Sequence, residues 1–336
     1  MNRILLAIAQ RTCRAAGLAS ALALGLVACG GTLEAPQPAD ELSLQAAGDT
    51  LPATLSANDL VTLSNLAKGR CIEPADWKAD SGAAIKPALC SDRASLAYTV
   101  SRLPGGNYTF RSYFSQKCLE VTDGDLRDGA KVTQRECTGA PNQQWRAIEI
   151  TTNTFELRAA HSDKCLDLDA WGNVQQWGCW GGTNQRWTVQ LAPRSAIQVV
   201  NGPADSRRKC LDADGSSFAD GGSIMQWDCW GGANQQWFVL RFPDDSVEIK
   251  ARHSGKCLSI AAAALENGTL AQQWTCDGDP SRRFSISSDR SASTVRPRHS
   301  LKCLDRPGVS NSSNGALIQQ WACNGGVNQS WIFTAL

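Results

Sequence analysis

The residues best suited to ligand chemistry lie near the end of the chain, where a carboxylate, an amide and an indole flank two cysteines. Asp305 follows Cys303 by two positions, and Gln319 and Trp321 precede Cys323 by four and two. Side chains alternate along a strand, so Cys303 and Asp305 would share a face, as would Gln319, Trp321 and Cys323. Bonding of the two cysteines would bring their Cα atoms to about 5.5 Å and the polar faces together. A carboxylate opposite an aromatic wall suits a hexose, whose hydroxyls donate to the carboxylate while its C–H face lies on the indole.

This arrangement is one copy of a motif that occurs six times. The first cysteines of the copies follow one another at intervals of 45–47 residues, at Cys71, Cys118, Cys165, Cys210, Cys257 and Cys303. Repetition at a fixed period decides the architecture, because each copy is then one structural unit. The segments between the cysteines are rich in Gly, Asp, Asn and Ser and contain short alternating apolar runs, which is typical of short strands and tight turns. An all-β fold is therefore predicted.

The cysteines of the repeats predict a disulfide framework. Of the 14 cysteines, Cys13 and Cys29 lie before the repeats, which leaves two for each copy. An even, regular set in an exported chain is typical of disulfides, each worth about 3 kcal/mol at this loop size. Sequence alone does not fix the connectivity, but separations of 14–20 residues favour the local pairs Cys71–Cys90, Cys118–Cys137, Cys165–Cys179, Cys210–Cys229, Cys257–Cys276 and Cys303–Cys323.

The first 57 residues differ from the repeats. Residues 1–28 contain three arginines and then an apolar run, which is typical of an export signal. The uncharged stretch of about 14 residues is short for a membrane span of roughly 20. The segment Leu26–Cys29 resembles the bacterial lipobox, which implies lipidation of Cys29 and a membrane anchor facing the periplasm or the cell exterior. Residues 29–57 contain prolines and acidic residues but no Lys or Arg, and they are predicted to be a flexible tether.

Charge and histidine placement exclude several partners. The formal net charge of +1 becomes −2 without the three leader arginines, and residues 1–28 contain no acidic residue. A near-neutral chain has no electrostatic footprint for nucleic acid. His161, His253 and His299 each lie four residues before a first cysteine, so they occupy one recurring turn, whereas a catalytic base is expected once. They do not cluster with cysteines at ligand spacing and no Cys-x-x-Cys pair occurs, so neither a metal nor a cofactor is predicted.

The repeated tryptophans fall into two classes. One class precedes the second cysteine by two positions and is predicted to form a ligand platform: Trp177, Trp227, Trp274 and Trp321. The other ends a Gln-x-Trp motif before an apolar segment and is predicted to be core: Trp145, Trp187, Trp237 and Trp331. The alternative is that all of them belong to the core, because buried tryptophan is common.

The six Cys-Leu-Asp … Gln-x-Trp copies resemble the ricin-type β-trefoil lectins, with three copies in each of two tandem domains. The motifs Gln143–Trp145, Gln185–Trp187, Gln235–Trp237 and Gln329–Trp331 carry this resemblance, in phase with the cysteines. It implies a six-stranded barrel capped by three hairpins, with sugar in a shallow pocket of one repeat. We therefore expect domains at residues 58–191 and 192–336 that bind glycan or polysaccharide multivalently.

The resemblance also implies the pocket residues. They are the Asp after the first cysteine, the Gln and aromatic residue before the second, and the Asn-Gln that opens the Gln-x-Trp motif. The pockets implied in copies three, six and four comprise Asp167, Gln175, Trp177, Asn184 and Gln185; Asp305, Gln319, Trp321, Asn328 and Gln329; and Asp212, Trp227, Asn234 and Gln235, with Met225 replacing the first Gln. In this family the Asn contacts the sugar and the last Gln orients the Asp.

Copies one, two and five depart from the pattern and are predicted to be structural. Glu73 and Glu120 stand at the Asp position of copies one and two, and Arg135 stands at the platform position of copy two. Copy five has Ser259 at the Asp position and Arg282 in its Gln-x-Trp motif. Copy three has five fewer residues between its cysteines than most copies, which leaves its pocket shape open.

Two other function classes remain as alternatives. A β-trefoil can be a scaffold that binds or inhibits proteins, because a fold does not fix a function. The complete residue sets of copies three and six argue against this. A glycoside-active enzyme would need paired carboxylates such as Asp167 and Asp169. We interpret these two as a sugar acceptor and a turn residue, and since no nucleophile motif or separate catalytic segment occurs, we expect a protein that is not an enzyme.

Overall fold

The computed structural model describes Leu51, Leu55 and residues 59–192, 197–201, 209–215, 217–289, 292–308 and 313–335. The predicted leader at 1–28 and the lipidation site at Cys29 lie outside these residues, as does most of the predicted tether. Leu51, inside that tether, is buried, and its backbone N–H donates to the Tyr108 hydroxyl at 3.1 Å. No helix in the described part of the chain is long and apolar enough to cross a membrane.

The first three copies form a closed barrel with three hairpins. The pairs β1–β4, β4–β5, β5–β8, β8–β9, β9–β12 and β12–β1 close the ring, and β2–β3, β6–β7 and β10–β11 are the hairpins. The strands are β1 (Leu60–Asn65), β2 (Arg70–Pro74), β3 (Ile85–Ala88), β4 (Tyr98–Arg102), β5 (Tyr108–Ser112), β6 (Cys118–Val121), β7 (Val132–Arg135), β8 (Trp145–Thr151), β9 (Thr154–Ala159), β10 (Cys165–Leu168), β11 (Val174–Trp177) and β12 (Arg186–Leu191).

The last three copies repeat this topology. The ring runs β13–β16–β17–β20–β21–β24 and returns to β13, and the hairpins are β14–β15, β18–β19 and β22–β23. The predicted pair of β-trefoils is confirmed. The strands are β13 (Ile197–Asn201), β14 (Lys209–Ala213), β15 (Ile224–Asp228), β16 (Trp237–Arg241), β17 (Val247–Ala251), β18 (Cys257–Ile260), β19 (Ala271–Trp274), β20 (Phe284–Asp289), β21 (Ala292–Pro297), β22 (Cys303–Asp305), β23 (Gln319–Trp321) and β24 (Trp331–Ala335).

Short 3₁₀ turns precede the last strand of every copy. These turns are Ala94–Leu96, Pro141–Gln143, Thr183–Gln185, Ala233–Gln235, Pro280–Arg282 and Val327–Gln329. Three further turns follow the first hairpin strand of copies one, two and five, at Ala75–Trp77, Thr122–Gly124 and Ala261–Ala263. The three copies predicted to lack a pocket therefore share a local structure, each with a residue at positive φ in that turn.

The core tryptophans occupy the barrels as predicted. Trp145, Trp187, Trp237 and Trp331 are each 0% exposed. Each indole N–H donates to the backbone carbonyl of the leucine that follows its own copy's first cysteine, at 2.8–3.2 Å. These bonds satisfy a polar group that burial would otherwise leave without a partner.

All six disulfides link the two cysteines of one copy, as the spacing favoured. Their Cα atoms are 5.0–5.2 Å apart. The shortened copy three therefore closes its disulfide at the same Cα separation as the other copies.

A buried glutamine in the second hairpin strand joins neighbouring copies. In copy six, the Gln320 amide donates to the carbonyls of Ala264 and Glu266 in copy five at 2.8 and 3.0 Å, and Gly268 donates its N–H to the Gln320 carbonyl at 2.9 Å. Gln134, Gln176, Gln226 and Gln273 make equivalent bonds to the adjoining copy. Five of the six hairpins are thereby fixed to a neighbouring copy around the threefold axis.

One junction between copies departs from this rule. Pro87 holds the glutamine position in copy one and has no N–H to donate. The short hairpin of copy three faces it, and a cavity of about 260 Å³ between them is lined in part by Lys68, Pro87 and Trp171. The junction between copies three and one thus differs from the others, while Asp167 keeps the hydrogen bonds from Gln175 and Asn184.

The two barrels pack against each other within one compact unit of the chain. Leu60 and Tyr113 of the first barrel share an apolar cluster with Leu240 and Phe242 of the second. The Tyr113 hydroxyl donates to the Glu248 carboxylate at 2.6 Å, and burial raises the pKa of Tyr113 well above its ordinary value. This interface fixes the positions of the two sets of hairpins relative to each other.

The two tryptophan classes predict opposite mutational effects. Trp331→Ala should lower the free energy of unfolding by about 3–5 kcal/mol, because it leaves a cavity and an unpaired Leu304 carbonyl. Trp321→Ala should change it far less, since that ring is 41% exposed. Denaturant unfolding of both variants measures the difference. A larger loss for Trp321→Ala would contradict the assignment of core and platform.

Candidate functional site

The hairpin β22–β23 builds the copy-six site around one buried carboxylate. Cys303 pairs with Trp321, and Asp305 pairs with Gln319, which places these side chains beside the disulfide as strand alternation predicts. Asp305 accepts hydrogen bonds from the side-chain amides of Gln319 at 2.9 Å, Asn328 at 2.7 Å and Gln329 at 2.9 Å. Three neutral donors therefore hold a carboxylate that is 3% exposed.

Copy three repeats the arrangement despite its shorter hairpin. The Asp167 carboxylate accepts from the Gln175 amide at 3.1 Å and from the Asn184 amide at 2.7 Å. Gln185 donates to the Gly178 carbonyl at 3.0 Å and accepts from the Trp180 backbone N–H at 2.9 Å. Gln185 therefore fixes the segment after the second cysteine.

Copy four lacks the first glutamine but keeps the other two amides. Asp212 accepts from Asn234 at 2.9 Å and from Gln235 at 2.8 Å, and Met225 pairs with it across the hairpin. The structure thus brings together all of the predicted pocket residues within each of the three copies.

The asparagines have a role that the sequence did not predict. The family pattern implies that Asn contacts the ligand and that Gln orients the Asp, yet the Asn amides of all three copies donate to the carboxylate. Burial raises the pKa of Asp167 and of Asp212 above the ordinary value of 3.8, and the amide hydrogen bonds oppose this shift. The amides therefore offset part of the cost of burying a charge.

A half-exposed indole stands beside each carboxylate. Trp177, Trp227 and Trp321 are 42%, 40% and 41% exposed. A glycine of the adjoining hairpin lies against each ring, at Gly129, Gly315 and Gly268, where an added Cβ would lie 3.6 Å from the ring. All three glycines have φ between +82° and +84°, which favours glycine. The platform ring is therefore packed by the next copy and still open to solvent.

An arginine lies beside the carboxylate or the platform ring in the other three copies, from a different position of the repeat in each. Glu73 pairs with Arg93 at 2.9 Å in copy one, and Glu120 pairs with Arg135 at 2.8 Å in copy two. In copy five the Arg282 guanidinium lies 5.7 Å from the centre of the Trp274 ring. A cation thus neutralises the carboxylate of copies one and two and covers the platform of copy five.

Two exposed tryptophans that escaped the sequence analysis share one position of the repeat. Trp180 and Trp230 directly follow the second cysteine of copies three and four and are 66% and 65% exposed. The recurrence of Cys-Trp-Gly-Gly in these two copies is the signal that could have found them.

The groups considered for catalysis have structural partners. His161, His253 and His299 each place Nε2 within 3.1–3.3 Å of a backbone carbonyl of the preceding copy, as expected for one recurring turn. Asp169 accepts from the N–H and side-chain amide of Asn173, both at 2.7 Å, and so closes a turn.

Metal-ligand geometry occurs in two places within the described ranges. Glu156 lies near Cys165 and Cys179, and Glu248 lies near the copy-five cysteines. All four cysteines are in disulfides, so none of them offers the thiolate that binds a metal.

Comparison with solved structures finds several similar chains. The designed threefold-symmetric protein ThreeFoil is 30% identical over 42% of this chain and 99% of its own, with a TM-score of 0.40. The hemolytic lectin CEL-III is 19% identical over 83% of this chain and 63% of its own, with a TM-score of 0.35. An agglutinin from Abrus precatorius is 20% identical over 83% of this chain and 98% of its own, with a TM-score of 0.34. No curated protein sequence matches the chain significantly.

The family comparison covers most of the chain. The model described as "Ricin-type beta-trefoil lectin domain-like" matches residues 53–134, 95–173, 169–227, 204–274 and 233–321, without a gap between the first and the last. Together with the two hairpin-capped barrels, this match shows that the chain belongs to the ricin-type β-trefoil lectin family.

Proposed function

We propose that the protein binds glycans or polysaccharides at copies three, four and six and catalyses no reaction on them. One observation carries this proposal: in these copies a buried carboxylate is held by neutral amides beside a half-exposed tryptophan. Amide donors leave the negative charge uncompensated, so the carboxylate can still accept strong hydrogen bonds from sugar hydroxyls. The indole supplies an apolar face for the C–H side of the ring.

Copies one, two and five support the same division into copies that bind sugar and copies that do not. In copies one and two an arginine already neutralises the carboxylate, so a sugar hydroxyl would have to compete with an ion pair. We infer that copies one, two and five serve the fold alone. A glycan array with the mature protein tests the proposal, because a scaffold that binds only proteins would retain no glycan. Release of sugar from polysaccharide would instead favour the glycoside-active alternative.

Multivalence is the second part of the proposal. A shallow pocket with one carboxylate and one stacking ring should bind a monosaccharide near the millimolar range, about −4 to −5 kcal/mol. Copies three and six belong to different barrels that pack through Tyr113 and Glu248. Two sites held at a fixed separation can engage one polymer, which could raise avidity by roughly 10²-fold or more where the spacing suits the ligand.

Single-site substitutions test this multivalence. Asp167→Ala and Asp305→Ala should each leave monosaccharide binding at the other copies intact but sharply reduce retention on polysaccharide, and the double variant should lose most of the remainder. Affinity electrophoresis in polysaccharide gels, beside a monosaccharide titration, measures both. Small, additive losses on polymer would show that the sites act alone. Unchanged binding in the double variant would place the ligand elsewhere.

The raised carboxyl pKa values predict a dependence on pH. Burial raises the pKa of Asp167 and Asp212, so protonation removes their charge at a higher pH than for an ordinary aspartate. Sugar binding at copies three and four should therefore weaken as the pH falls through these raised pKa values. Monosaccharide titrations of the Asp305→Ala protein between about pH 7 and pH 3.5 isolate these copies. Constant affinity down to the ordinary pKa of 3.8 would contradict the prediction.

We also propose that the protein acts at a membrane surface. Six disulfides indicate an oxidising compartment outside the cytosol. The Leu26–Cys29 segment supports lipid anchoring at Cys29. Clustering on a membrane would then add to the avidity for a polymer.

A cysteine substitution tests the anchor. Cys29→Ala should yield an unprocessed or soluble species in place of a protein that fractionates with membranes, because the lipid attachment atom is gone. Membrane fractionation with mass spectrometry of the N-terminus measures this. A wild-type protein that is wholly soluble and carries no lipid mass would exclude the anchor.

A further inference from the structure

Trp180 and Trp230 are large apolar side chains that neither the barrel cores nor the pockets use. They are about two-thirds exposed, at 66% and 65%, although each follows a disulfide-bonded cysteine in an otherwise ordered segment. Exposed aromatic rings that a protein holds in place are typical of contact surfaces.

The backbone of each residue is fixed by the pocket's own glutamine. The Trp180 N–H donates to the Gln185 side-chain oxygen at 2.9 Å, and the Trp230 N–H donates to Gln235 at 2.9 Å. Gln235 also donates to the pocket carboxylate Asp212 at 2.8 Å. One amide therefore connects the exposed tryptophan of copy four to its carboxylate.

Each indole also lies against the backbone of a glycine two residues further on. A Cβ on Gly182 would lie 2.2 Å from the Trp180 ring, and a Cβ on Gly232 would lie 2.0 Å from the Trp230 ring. The rings thus occupy the space that any side chain at these positions would need. Each ring lies against the glycine on one side, and its remaining surface faces solvent.

The ring of copy three adjoins the pocket itself. The Cβ position of Gly182 that is 2.2 Å from the Trp180 ring is also 2.6 Å from the Asn184 side-chain oxygen. Asn184 in turn donates to the Asp167 carboxylate at 2.7 Å. Trp180 therefore lies immediately beside the amide that borders the sugar pocket.

We propose that Trp180 and Trp230 each form a second stacking surface, which takes the neighbouring sugar ring of an oligosaccharide whose first ring lies in the adjacent pocket. The proposal rests on the proposed function and extends it from single sugars to chains. A pocket for one ring leaves the next ring of a polysaccharide in solvent. An indole beside the pocket can cover that ring's C–H face, and the hydrogen bond from its backbone N–H to the pocket glutamine limits the entropic cost.

Copy six provides a matched control within the same chain. Asn324 holds the position of Trp180, and its N–H donates to the Gln329 side-chain oxygen at the same 2.9 Å. Copy six thus keeps the backbone hydrogen bond of this position but has no indole there. Gly326 keeps the space that an indole would need. Copy six should therefore bind a monosaccharide and an oligosaccharide with similar affinity, whereas copies three and four should favour the oligosaccharide.

The test uses full-length proteins in which one pocket is left active. Asp212→Ala with Asp305→Ala leaves copy three, and Asp167→Ala with Asp212→Ala leaves copy six. Xylose and xylotriose, and galactose and galactotriose, serve as probes in calorimetric titrations. Copy three should bind the trisaccharide about 5–10-fold more tightly than the monosaccharide, a ratio in line with one added aromatic contact. Trp180→Asn should abolish this ratio without weakening the monosaccharide, and Trp180→Tyr should retain most of it.

The reverse substitution gives an independent gain. Asn324→Trp in the copy-six protein should create a preference for the trisaccharide of at least about threefold. An unchanged ratio in both Trp180→Asn and Asn324→Trp would overturn the second stacking surface, as would an equal loss of mono- and trisaccharide binding in a Trp180→Asn protein with unaltered melting temperature. Absence of any sugar binding in the unsubstituted protein would instead overturn the proposed function, and this proposal with it.

Discussion

The hydrogen bonds of the buried glutamines between copies are the constraint on which the rest of the structure depends. Gln320 lies between Gln319 and Trp321 on one strand, so alternation sends its side chain inward to the carbonyls of the previous copy. The same alternation sends Gln319 and Trp321 to the opposite face, where they meet Asp305. Anchoring the middle residue therefore fixes the register and the orientation of the two pocket residues beside it. Gln176 and Gln226 do this for copies three and four.

The copies differ in the partner of their buried carboxylate, which is an arginine in some and a set of amides in others. In copy two, Glu120 is buried with an arginine partner, and the charge is neutralised inside the protein. In copy six, Asp305 is equally buried, and its hydrogen-bond donors among the described residues are the amides of Gln319, Asn328 and Gln329. Amides reduce the cost of burial without removing the charge. An amide partner thus leaves the carboxylate able to accept a hydrogen bond from a ligand hydroxyl, whereas an arginine partner neutralises it in an internal ion pair.

The sequence predicted most of the features that lie within one copy and missed those that depend on two copies. The cysteine period and strand alternation were sufficient for the hairpin register, the local disulfides and the buried class of tryptophans, because each lies within a single repeat. The loss of the junction at Pro87 and the glycine packing of Trp177 required knowledge of which hairpin adjoins which. The role of Asn328 was also missed, although it lies in the same copy as Asp305. Its distance to Asp305 depends on how the 3₁₀ turn Val327–Gln329 folds against the hairpin, and the sequence does not give that distance.

The core residues and the pocket residues of a hairpin lie on opposite faces, so the two sets can be substituted independently. Leu304, Gln320 and Trp331 maintain the barrel and the junctions in copy six, and none of them reaches the pocket surface. Asp305, Gln319 and Trp321 build the pocket and contribute little to the core. Substitutions on the pocket face therefore need not disturb the interactions that hold the trefoil, as copy two shows by keeping the fold with Glu120 and Arg135 in place of the Asp and the platform Trp. Ligand preference can thus vary from copy to copy while the six-copy framework stays constant, which is how one chain can present pockets with and without an adjoining indole.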